Sequence, residues 1–178
     1  MKYLPLDIPG VFSVEPQFLS DERGFFTRTF CAREFAEHGI DPAVAQCNVS
    51  FNHQRGTLRG MHFQTKPHEE AKLVRVTSGA VYDVIVDLRP DSPAYLRWIG
   101  LELTAESHRS IFIPTGCAHG FLTLTDGVEM LYYMSEFYDP PTNTGVRWND
   151  PAFAIEWPFQ PLLVSEKDNS YPDYRPQR

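Results

Sequence analysis

Long apolar runs are missing from this sequence of 178 residues. No stretch approaches the ~18 consecutive apolar residues that a membrane-spanning helix needs. The N-terminal stretch MKYLPLDIPGVFSVEP carries one lysine and an early proline, and it lacks the continuous apolar segment of a secretory signal. We therefore expect a cytoplasmic protein with no membrane partner.

Cysteine and positive charge are also scarce. The three cysteines, Cys31, Cys47 and Cys117, form neither a CxxC pair nor an even-numbered disulfide framework, which fits a reducing compartment. The net charge of −7 argues against a protein that coats nucleic acid, so we expect no nucleic-acid partner. A small anionic ligand is still compatible with this charge, because a few arginines can make one part of the surface positive.

The chain also lacks internal repeats, low-complexity runs and any change of composition that would mark a linker. Its length suits one well-cored domain and is short for two, so we expect a single domain over residues 1–178. Prolines cluster in the last stretch, WPFQPLLVSEKDNSYPDYRPQR. This predicts a tail packed over the core, with the final residues, 169–178, mobile.

The chain consists instead of many short predicted strands. In AVYDVIVDL (80–88), apolar residues at the even positions alternate with a face that contains Asp83 and Asp87, and this period of two marks a half-buried strand. The stretches KLVRV, WIGLEL, SIFIP, GFLTLT and VEMLYYM are separated by Gly, Pro, Asp and Ser at short intervals. Only CAREFAEHGI (31–40), with Gly39 near its end, predicts a helix. Together these patterns predict an all-β sandwich or jelly roll.

The segment RGMHFQTKPHEEAKLVRVTSG concentrates residues that could bind a metal. Zinc or iron held by histidine usually needs converging ligands, such as an HxH pair or an HxxxH on one helix. His62 is in neither pattern, and His68, Glu69 and Glu70 are typical of a solvated loop. We therefore predict no metal site.

The stretch PTGCAHGF (114–121) carries a more specific pattern. Its P-x-G-x-x-H spacing matches the second half of the cupin signature, whose first half normally supplies an HxH pair and a glutamate. A cupin-like barrel without this first half would work by acid–base chemistry rather than through a metal. The alternative is that His119 only caps a turn.

Three side chains are candidates for proton transfer. An imidazole titrates near neutral pH, which makes His62 a natural base. Lys72 begins an otherwise apolar strand; inside a barrel it would stabilise an enolate, whereas at an edge it would extend into solvent. In VEMLYYM (128–134) alternation puts Tyr132 on the apolar, inward face and Tyr133 on the outward face. Buried tyrosines in all-β proteins are usually core residues, so this pattern alone does not make Tyr132 catalytic.

Two arginines are candidates for binding phosphate. Arg23 lies in the predicted turn of DERGFF (21–26), and Arg59 lies close to His62 in the chain. A guanidinium group can donate paired hydrogen bonds to phosphate oxygens. The alternative for each arginine is a surface salt bridge.

Taken together, these segments resemble the dTDP-4-dehydrorhamnose 3,5-epimerase family. The matching stretches are DERGFF, QCNVS, GTLRGMHFQ, KLVRV, GAVYDVIVDLR, GLELTAESHRSIFIPTGCAHGF, MLYYMSEFYDP, RWNDP and SEKD. They occur in family order over nearly the whole chain. The resemblance implies a cupin-type jelly-roll β-sandwich or barrel with a few short helices, and an isomerase that acts on a nucleotide-diphosphate sugar.

The resemblance also implies which residues carry out the chemistry. His62 would be the base, with Asp168 of SEKD as its partner. Lys72 would stabilise an enolate, and Tyr132 would be the acid. A C4 ketone acidifies the protons on C3 and C5, so dTDP-4-dehydro-6-deoxyglucose could be converted to dTDP-4-dehydrorhamnose without a metal or redox cofactor.

Binding residues follow from the same resemblance. The implied substrate contacts are Arg23, Phe26, Gln46, Asn48, Arg59, His119, Tyr138 and Lys167. Tyr138 matches the aromatic residue that stacks on the nucleotide base. Family members are homodimers that exchange N-terminal strands, so Arg23 and Phe26 would serve the site of the neighbouring subunit.

Four positions depart from the usual family pattern. Arg28 replaces a glutamate, Tyr133 a lysine, Ala71 a glycine and Asn143 an acidic residue. These changes leave open the nucleotide, the sugar and the number of centres inverted. The alternatives are a single-centre epimerase, an enzyme for a GDP- or CDP-linked sugar, and a catalytically silent sugar-nucleotide-binding cupin. A metal-dependent cupin isomerase or oxygenase is opposed by the missing HxH pair.

A conflict concerns TLRGMHFQ (57–64). In one regular strand, Arg59 and His62 would lie on opposite faces, whereas the resemblance sends both to the substrate. A bulge or bend is least costly at Gly60. We therefore predict irregular pairing or a strand boundary within 57–61, with Arg59 and His62 opening onto one cavity.

Overall fold

Two β-sheets face each other in the computed structural model, which describes residues 1–41 and 43–176. In chain order the strands are β1 (Lys2–Pro5), β2 (Phe12–Glu15), β3 (Phe18–Asp21), β4 (Gly24–Thr27), β5 (Gln46–Asn52), β6 (Thr57–Gln64), β7 (Lys72–Ser78), β8 (Ala80–Asp87), β9 (Trp98–Thr104), β10 (Ser110–Ile113), β11 (Cys117–Thr123), β12 (Val128–Met134), β13 (Asn143–Gly145) and β14 (Leu163–Val164). The helices are α1 (Ala32–Glu37) and α2 (Glu166–Ser170). Within the described residues, neither helix is long and apolar enough to cross a membrane.

The strands alternate between the sheets in the manner of a jelly roll. The first sheet has the order β1-β2-β10-β7-β12-β5. The second has the order β13-β6-β11-β8-β9, with β14 parallel to β6 at one end. Consecutive strands such as β7 and β8, or β11 and β12, therefore lie in opposite sheets, while β3 and β4 form a separate hairpin. The predicted all-β, cupin-type fold is confirmed.

The main core lies between the facing sheets. Val74 and Met130 come from the first sheet, Val81 and Phe121 from the second, and none of the four is more than 2% exposed. Burial of one large apolar side chain stabilises a fold by about 1.5–3 kcal/mol. This apolar layer therefore holds the sheets together, and the polar residues described below occupy one end of the space between them.

Strand β8 is buried on both faces, although its alternation predicts a half-buried strand. Val81, on the face that also carries Asp83 and Asp87, points into the core between the sheets. Val84 and Val86, on the opposite face, are also fully buried, because Phe153 and other residues of the segment 146–174 pack against them. A period of two identifies a strand, but it does not reveal a cover supplied by a segment far later in the chain.

Helix α1 lies within the segment predicted to be helical. The backbone amide of Gly39 donates to the carbonyl oxygen of Ala36 at 3.0 Å, and Gly39 has a φ of +71°. Glycine adopts this left-handed conformation without a steric cost, and a helix commonly ends there. The prediction of a helix ending near Gly39 is confirmed.

The C-terminal segment packs against the outer face of the second sheet. The backbone amide of Tyr174 donates to Asp150 Oδ2 at 2.6 Å. The hydroxyl group of Tyr174 is 3.1 Å from that of Tyr95. Arg147 pairs with Asp173. These contacts oppose mobility as far as Tyr174, and mobility of the remaining tail stays a prediction. Residues 177 and 178 lie outside the described residues.

Candidate active site

A cavity of about 460 Å³ opens between the two sheets. It is lined by Gln46, Asn48, Arg59, His62, Glu70, Lys72, His119, Phe121, Tyr132, Met134, Tyr138 and Asn143. Strands β5, β7 and β12 contribute from the first sheet, and β6, β11 and β13 from the second. Most of the predicted site residues therefore face one space, although they are distant in the sequence.

His62 and Asp168 form a pair at this cavity. His62 Nε2 is 2.7 Å from Asp168 Oδ1, and Asp168 Oδ2 accepts the backbone amide of Gly60 at 3.2 Å. A carboxylate only accepts hydrogen bonds, so Nε2 carries the proton, and in a neutral imidazole Nδ1 then carries the lone pair. His62 is therefore oriented as a base, with its side chain 35% exposed.

Asp168 is held by helix α2. Ser165 caps this helix, and its hydroxyl oxygen accepts the backbone amide of Asp168 at 3.1 Å. Burial acts to raise the pKa of Asp168, but hydrogen bonds, above all from His62, outweigh it and lower the pKa below its ordinary value. Asp168 is thus an ionised partner of His62 at neutral pH.

The strand that carries His62 is irregular at the predicted place. Its pairing with β11 shifts register between His119 and Phe121, and Gly60 has a φ of +132°. A Cβ atom at Gly60 would lie 2.5 Å from the Cα atom of Gly120, so the close approach of the two strands requires glycine. Arg59 and His62 consequently open onto one cavity, and the prediction for 57–61 is confirmed.

Lys72 is buried and paired. Its ammonium group lies 2.7 Å from Glu70 Oε1 and donates to the carbonyl oxygen of His62 at 3.2 Å. Glu70 is 8% exposed and lines the cavity, so its prediction as part of a solvated loop is wrong. A buried ammonium group needs an anionic partner, and this requirement was the one available sign of Glu70 in the sequence.

Tyr132 faces the cavity from the first sheet, opposite His62. Its hydroxyl group is 3.4 Å from that of Ser50, and burial raises the pKa of the phenol far above its ordinary value. The phenol is therefore protonated throughout the physiological range. Tyr133 lies on the other face of β12 and stacks on Phe30, as the alternation predicts.

His119 belongs to a second imidazole–carboxylate pair. It is the cross-strand partner of His62, so the two side chains are neighbours on one face of the sheet. His119 Nε2 is 2.7 Å from Asp83 Oδ1, and the His119 ring is 6.3 Å from that of Tyr132. His119 does not simply cap a turn. Asp83 had no predicted role, because the alternation in β8 does not tell which of its two faces points between the sheets.

The mouth of the cavity carries polar and aromatic groups. Gln46 Oε1 accepts the backbone amide of Tyr138 at 3.0 Å, and Tyr138 is 56% exposed. Lys167 donates to Asn143 Oδ1 at 3.0 Å. Arg59 Nε donates to Oδ1 of the buried Asn52 at 2.7 Å, and Nη2 donates to the carbonyl oxygen of Phe51 at 3.4 Å.

Arg23 and Phe26 do not line this cavity. Arg23 lies in the β3–β4 hairpin and pairs with Asp21 at 2.5 Å. Phe26 is 71% exposed, and Leu19, directly opposite it in the hairpin, is 70% exposed. The hairpin therefore exposes an apolar surface apart from both sheets.

Within residues 1–41 and 43–176, no three His, Cys, Asp or Glu side chains converge in a way that could hold a metal ion. His62 and His119 each use Nε2 on a carboxylate. The arrangement instead combines an oriented base, a buried ammonium group and a protonated phenol. These groups suit removal and return of a proton beside a carbonyl group.

Comparisons with known proteins identify relatives. The family model described as dTDP-4-dehydrorhamnose 3,5-epimerase matches residues 5–175. The protein of that name from Methanothermobacter thermautotrophicus is 40% identical over 177 residues, which cover 98% of this chain and 95% of the relative. The dTDP-4-dehydrorhamnose 3-epimerase of Streptomyces niveus is also 40% identical, over 94% of this chain and 81% of the relative.

Solved structures show the same similarity. The crystal structure of dTDP-4-dehydrorhamnose 3,5-epimerase from Bacillus anthracis, with TDP and PPi bound, superposes with a TM-score of 0.93. It is 39% identical and covers 97% of this chain and 99% of its own.

Proposed function

The chain belongs to the dTDP-4-dehydrorhamnose 3,5-epimerase family and is an isomerase, and we propose that it inverts C3 and C5 of a dTDP-linked 4-keto-6-deoxyhexose. One observation carries this proposal. His62, paired with Asp168, and the protonated phenol of Tyr132 face one cavity from opposite sheets. Inversion requires a base and an acid on opposite faces of the sugar, which this arrangement supports.

His62 is the proposed base. Nδ1 takes a proton from the carbon next to the C4 ketone, and the C–H electron pair moves into an enolate. Asp168 stabilises the imidazolium that forms, through its 2.7 Å contact with Nε2. Proton transfer by a positioned side chain typically contributes about 10²–10⁴-fold to the rate.

Lys72 and Tyr132 complete the proposed chemistry. The buried ammonium group of Lys72 stabilises the enolate oxygen at C4. Tyr132 then donates its proton to the carbon from the opposite face, and the enolate electron pair forms the new C–H bond. No metal or redox cofactor takes part in these steps.

The proposed binding residues surround the same chemistry. Arg59 and Lys167 supply positive charge for the diphosphate, while Gln46, Asn48 and His119 offer polar contacts. Tyr138 is exposed at the mouth of the cavity, where it can stack on the nucleotide base.

We also propose a homodimer with exchanged N-terminal strands. The exposed Phe26 and Leu19 of the β3–β4 hairpin support it, because such a surface gains stability when another subunit covers it. Arg23, at the turn of this hairpin, would then reach the neighbouring site. In mixed dimers of an Arg23→Ala subunit and a His62→Asn subunit, exchange would restore one complete site and therefore activity. Inactive mixed dimers would contradict the exchange.

The single-centre alternative has one observation in its favour. The relative from Streptomyces niveus is named a 3-epimerase, and its identity to this chain, 40%, equals that of the first 3,5-epimerase above. Enolate formation from His62 is common to both reactions. The number of centres thus depends on how the sugar is held rather than on the identity of the base.

Solvent deuterium incorporation tests the proposal. In D2O, dTDP-4-keto-6-deoxyglucose should gain deuterium at C3 and C5, as resolved by NMR. Labelling of one carbon would favour the single-centre enzyme, and no labelling would favour a silent binding protein. dTDP-glucose is the matched control, because without a ketone its ring protons are not acidic. GDP- and CDP-linked versions of the keto sugar would test the nucleotide.

A further inference from the structure

Asp83 is a fully buried carboxylate with an incomplete set of hydrogen bonds. It is 0% exposed, and Oδ1 contacts His119 Nε2 at 2.7 Å. Within the described residues, Oδ2 is buried without a hydrogen-bond partner. Leaving a buried carboxylate oxygen unpaired lowers the stability of the fold. A role in stability therefore does not explain this residue.

Asp87, on the same face of β8, shows how a stabilising buried carboxylate is held. Its Oδ1 accepts Arg89 Nε at 2.8 Å, and its Oδ2 accepts Arg89 Nη2 at 2.7 Å and the hydroxyl group of Ser92 at 2.6 Å. Both oxygens of Asp87 are paired, and its partners lie outside the cavity. Asp83, in contrast, contacts His119, which lines the cavity.

His119 is oriented by this contact. Nε2 faces Asp83, and within the described residues Nδ1 has no hydrogen-bond partner. Asp83 Oδ2 is one of the buried polar atoms that lack a partner, whereas His119 Nδ1 is not one of them. His119 also lines the cavity. The nitrogen that remains available to a ligand is therefore Nδ1.

We propose that Asp83 is a positioning residue that holds the proton of His119 on Nε2, so that the lone pair of Nδ1 accepts a hydrogen bond from a hydroxyl group of the bound sugar. The physical reason is the polarity of the pair. A carboxylate can only accept, and a neutral imidazole has one N–H group, so Nδ1 has to be the acceptor. The identity of the ligand rests on the proposed function, whereas the position of the proton does not.

This arrangement makes the cavity selective. A site built to bond a hydroxyl group rejects an analogue that lacks it, because a buried polar atom is then left unpaired. An amide at position 83 could donate to Nε2 and so move the imidazole proton to Nδ1. Asp83→Asn would thereby replace the acceptor with a donor while nearly conserving shape.

The position of the proton is measured first, without substrate. In two-bond ¹H–¹⁵N spectra of ¹⁵N-histidine-labelled protein, His119 should have its proton on Nε2, and in Asp83→Asn on Nδ1. The signal is assigned by its loss in His119→Asn. A wild-type proton on Nδ1, or an unchanged proton in Asp83→Asn, would overturn the proposal. Absence of epimerisation would sink the proposed function but leave this result standing.

Selectivity is measured by calorimetric binding of dTDP, dTDP-glucose and the 2-deoxy and 3-deoxy analogues of dTDP-glucose. The wild type should bind dTDP-glucose about 10-fold more tightly than one of the two analogues. Asp83→Asn should lose this preference and retain its affinity for dTDP. No preference in the wild type, or an intact preference in Asp83→Asn, would contradict the proposal.

Stability separates positioning from a structural role, with Asp87→Asn as the matched control. Asp87→Asn should lower the melting temperature, because it disrupts a fully paired carboxylate, and should leave the His119 proton on Nε2. Asp83→Asn should melt at or above the wild-type temperature. An equal loss in both variants, or failure of Asp83→Asn to fold, would make Asp83 a structural residue and end the proposal.

Discussion

The two imidazole–carboxylate pairs of the cavity are alike in geometry and different in surroundings. His62 and His119 are cross-strand partners, and each places Nε2 at 2.7 Å from a carboxylate oxygen. The His62 side chain is 35% exposed, whereas that of His119 is 5% exposed. Both oxygens of Asp168 accept hydrogen bonds, while Oδ2 of Asp83 has no partner in the part of the chain that the structure describes.

This difference indicates separate tasks for similar pairs. A base has to gain and lose a proton, so it benefits from the partial exposure of His62 and the fully bonded carboxylate beside it. The buried pair of His119 and Asp83 has little contact with solvent and suits a fixed acceptor, which is the role inferred for His119. The environment of each pair, more than its composition, distinguishes them.

The largest expected effect comes from disrupting the partly exposed pair of His62 and Asp168. His62→Asn removes the proposed base and should lower epimerisation by about 10²–10⁴-fold, because the proposed mechanism uses His62 to take the proton from carbon. Steady-state kinetics with the keto sugar measures this, and dTDP binding should remain near wild type. His68→Asn, outside the cavity lining, is the control. Near-normal turnover of His62→Asn would assign the base elsewhere.

A smaller effect should separate the two faces of the cavity. Tyr132→Phe removes the proposed proton donor, which lies beside His119, and keeps the aromatic ring. Inversion should fall about 10²-fold, while His62 still exchanges substrate protons with solvent. NMR in D2O would show exchange without an inverted product. If Tyr133→Phe gives this result and Tyr132→Phe does not, the two tyrosines have exchanged roles.

Glu70, a buried carboxylate that lines the cavity, pairs with an ammonium group instead of an imidazole. Glu70→Gln keeps a hydrogen-bonding group beside Lys72 but leaves its buried ammonium charge without an anion. The free energy of unfolding should fall by about 1–3 kcal/mol. Urea denaturation measures it, with Glu69→Gln as the neighbouring control. An equal change in both variants would show that the Glu70–Lys72 pair does not stabilise the fold.

The smallest expected effect concerns the pH dependence of the stability that Asp168, the partner of His62, contributes. The pKa of Asp168 is lowered in the folded protein, so its contribution to stability is present above its ordinary pKa of 3.8 and is lost as pH falls through the folded value. The stability difference between wild type and Asp168→Asn should therefore shrink below pH 3.8. Urea midpoints from pH 6 to pH 3 check this. A difference that stays constant over that range would contradict the lowered pKa.

Much of the fold could be predicted because its signals are local. The strands follow from a period of two, and the end of α1 follows from Gly39. The irregularity of β6 followed from Gly60 together with the family resemblance, which assigns both Arg59 and His62 to the substrate. The burial of both faces of β8 could not be predicted. Its cover is the segment 146–174, and a repeat within one strand carries no information about a distant cover.

The candidate site was predictable to the extent that residue chemistry marks it. His62 and Lys72 stand out as titratable groups near or in strands, whereas Asp168 entered only through the family resemblance. Asp83 and Glu70 were missed, because a buried acid and an exposed one look the same in a sequence. Their partners became visible only where strands and loops meet.

By itself the sequence determined the strand pattern, the glycine positions and the set of acids and bases, because these depend on side-chain chemistry and on neighbours along the chain. The tertiary structure decided which of them meet. Antiparallel pairing of β6 and β11 places His62 beside His119, and the packing of α2 brings Asp168 to His62. Such contacts depend on register and burial between distant segments. Only the folded chain therefore distinguishes the partly exposed pair of His62 and Asp168 from the buried pair of His119 and Asp83.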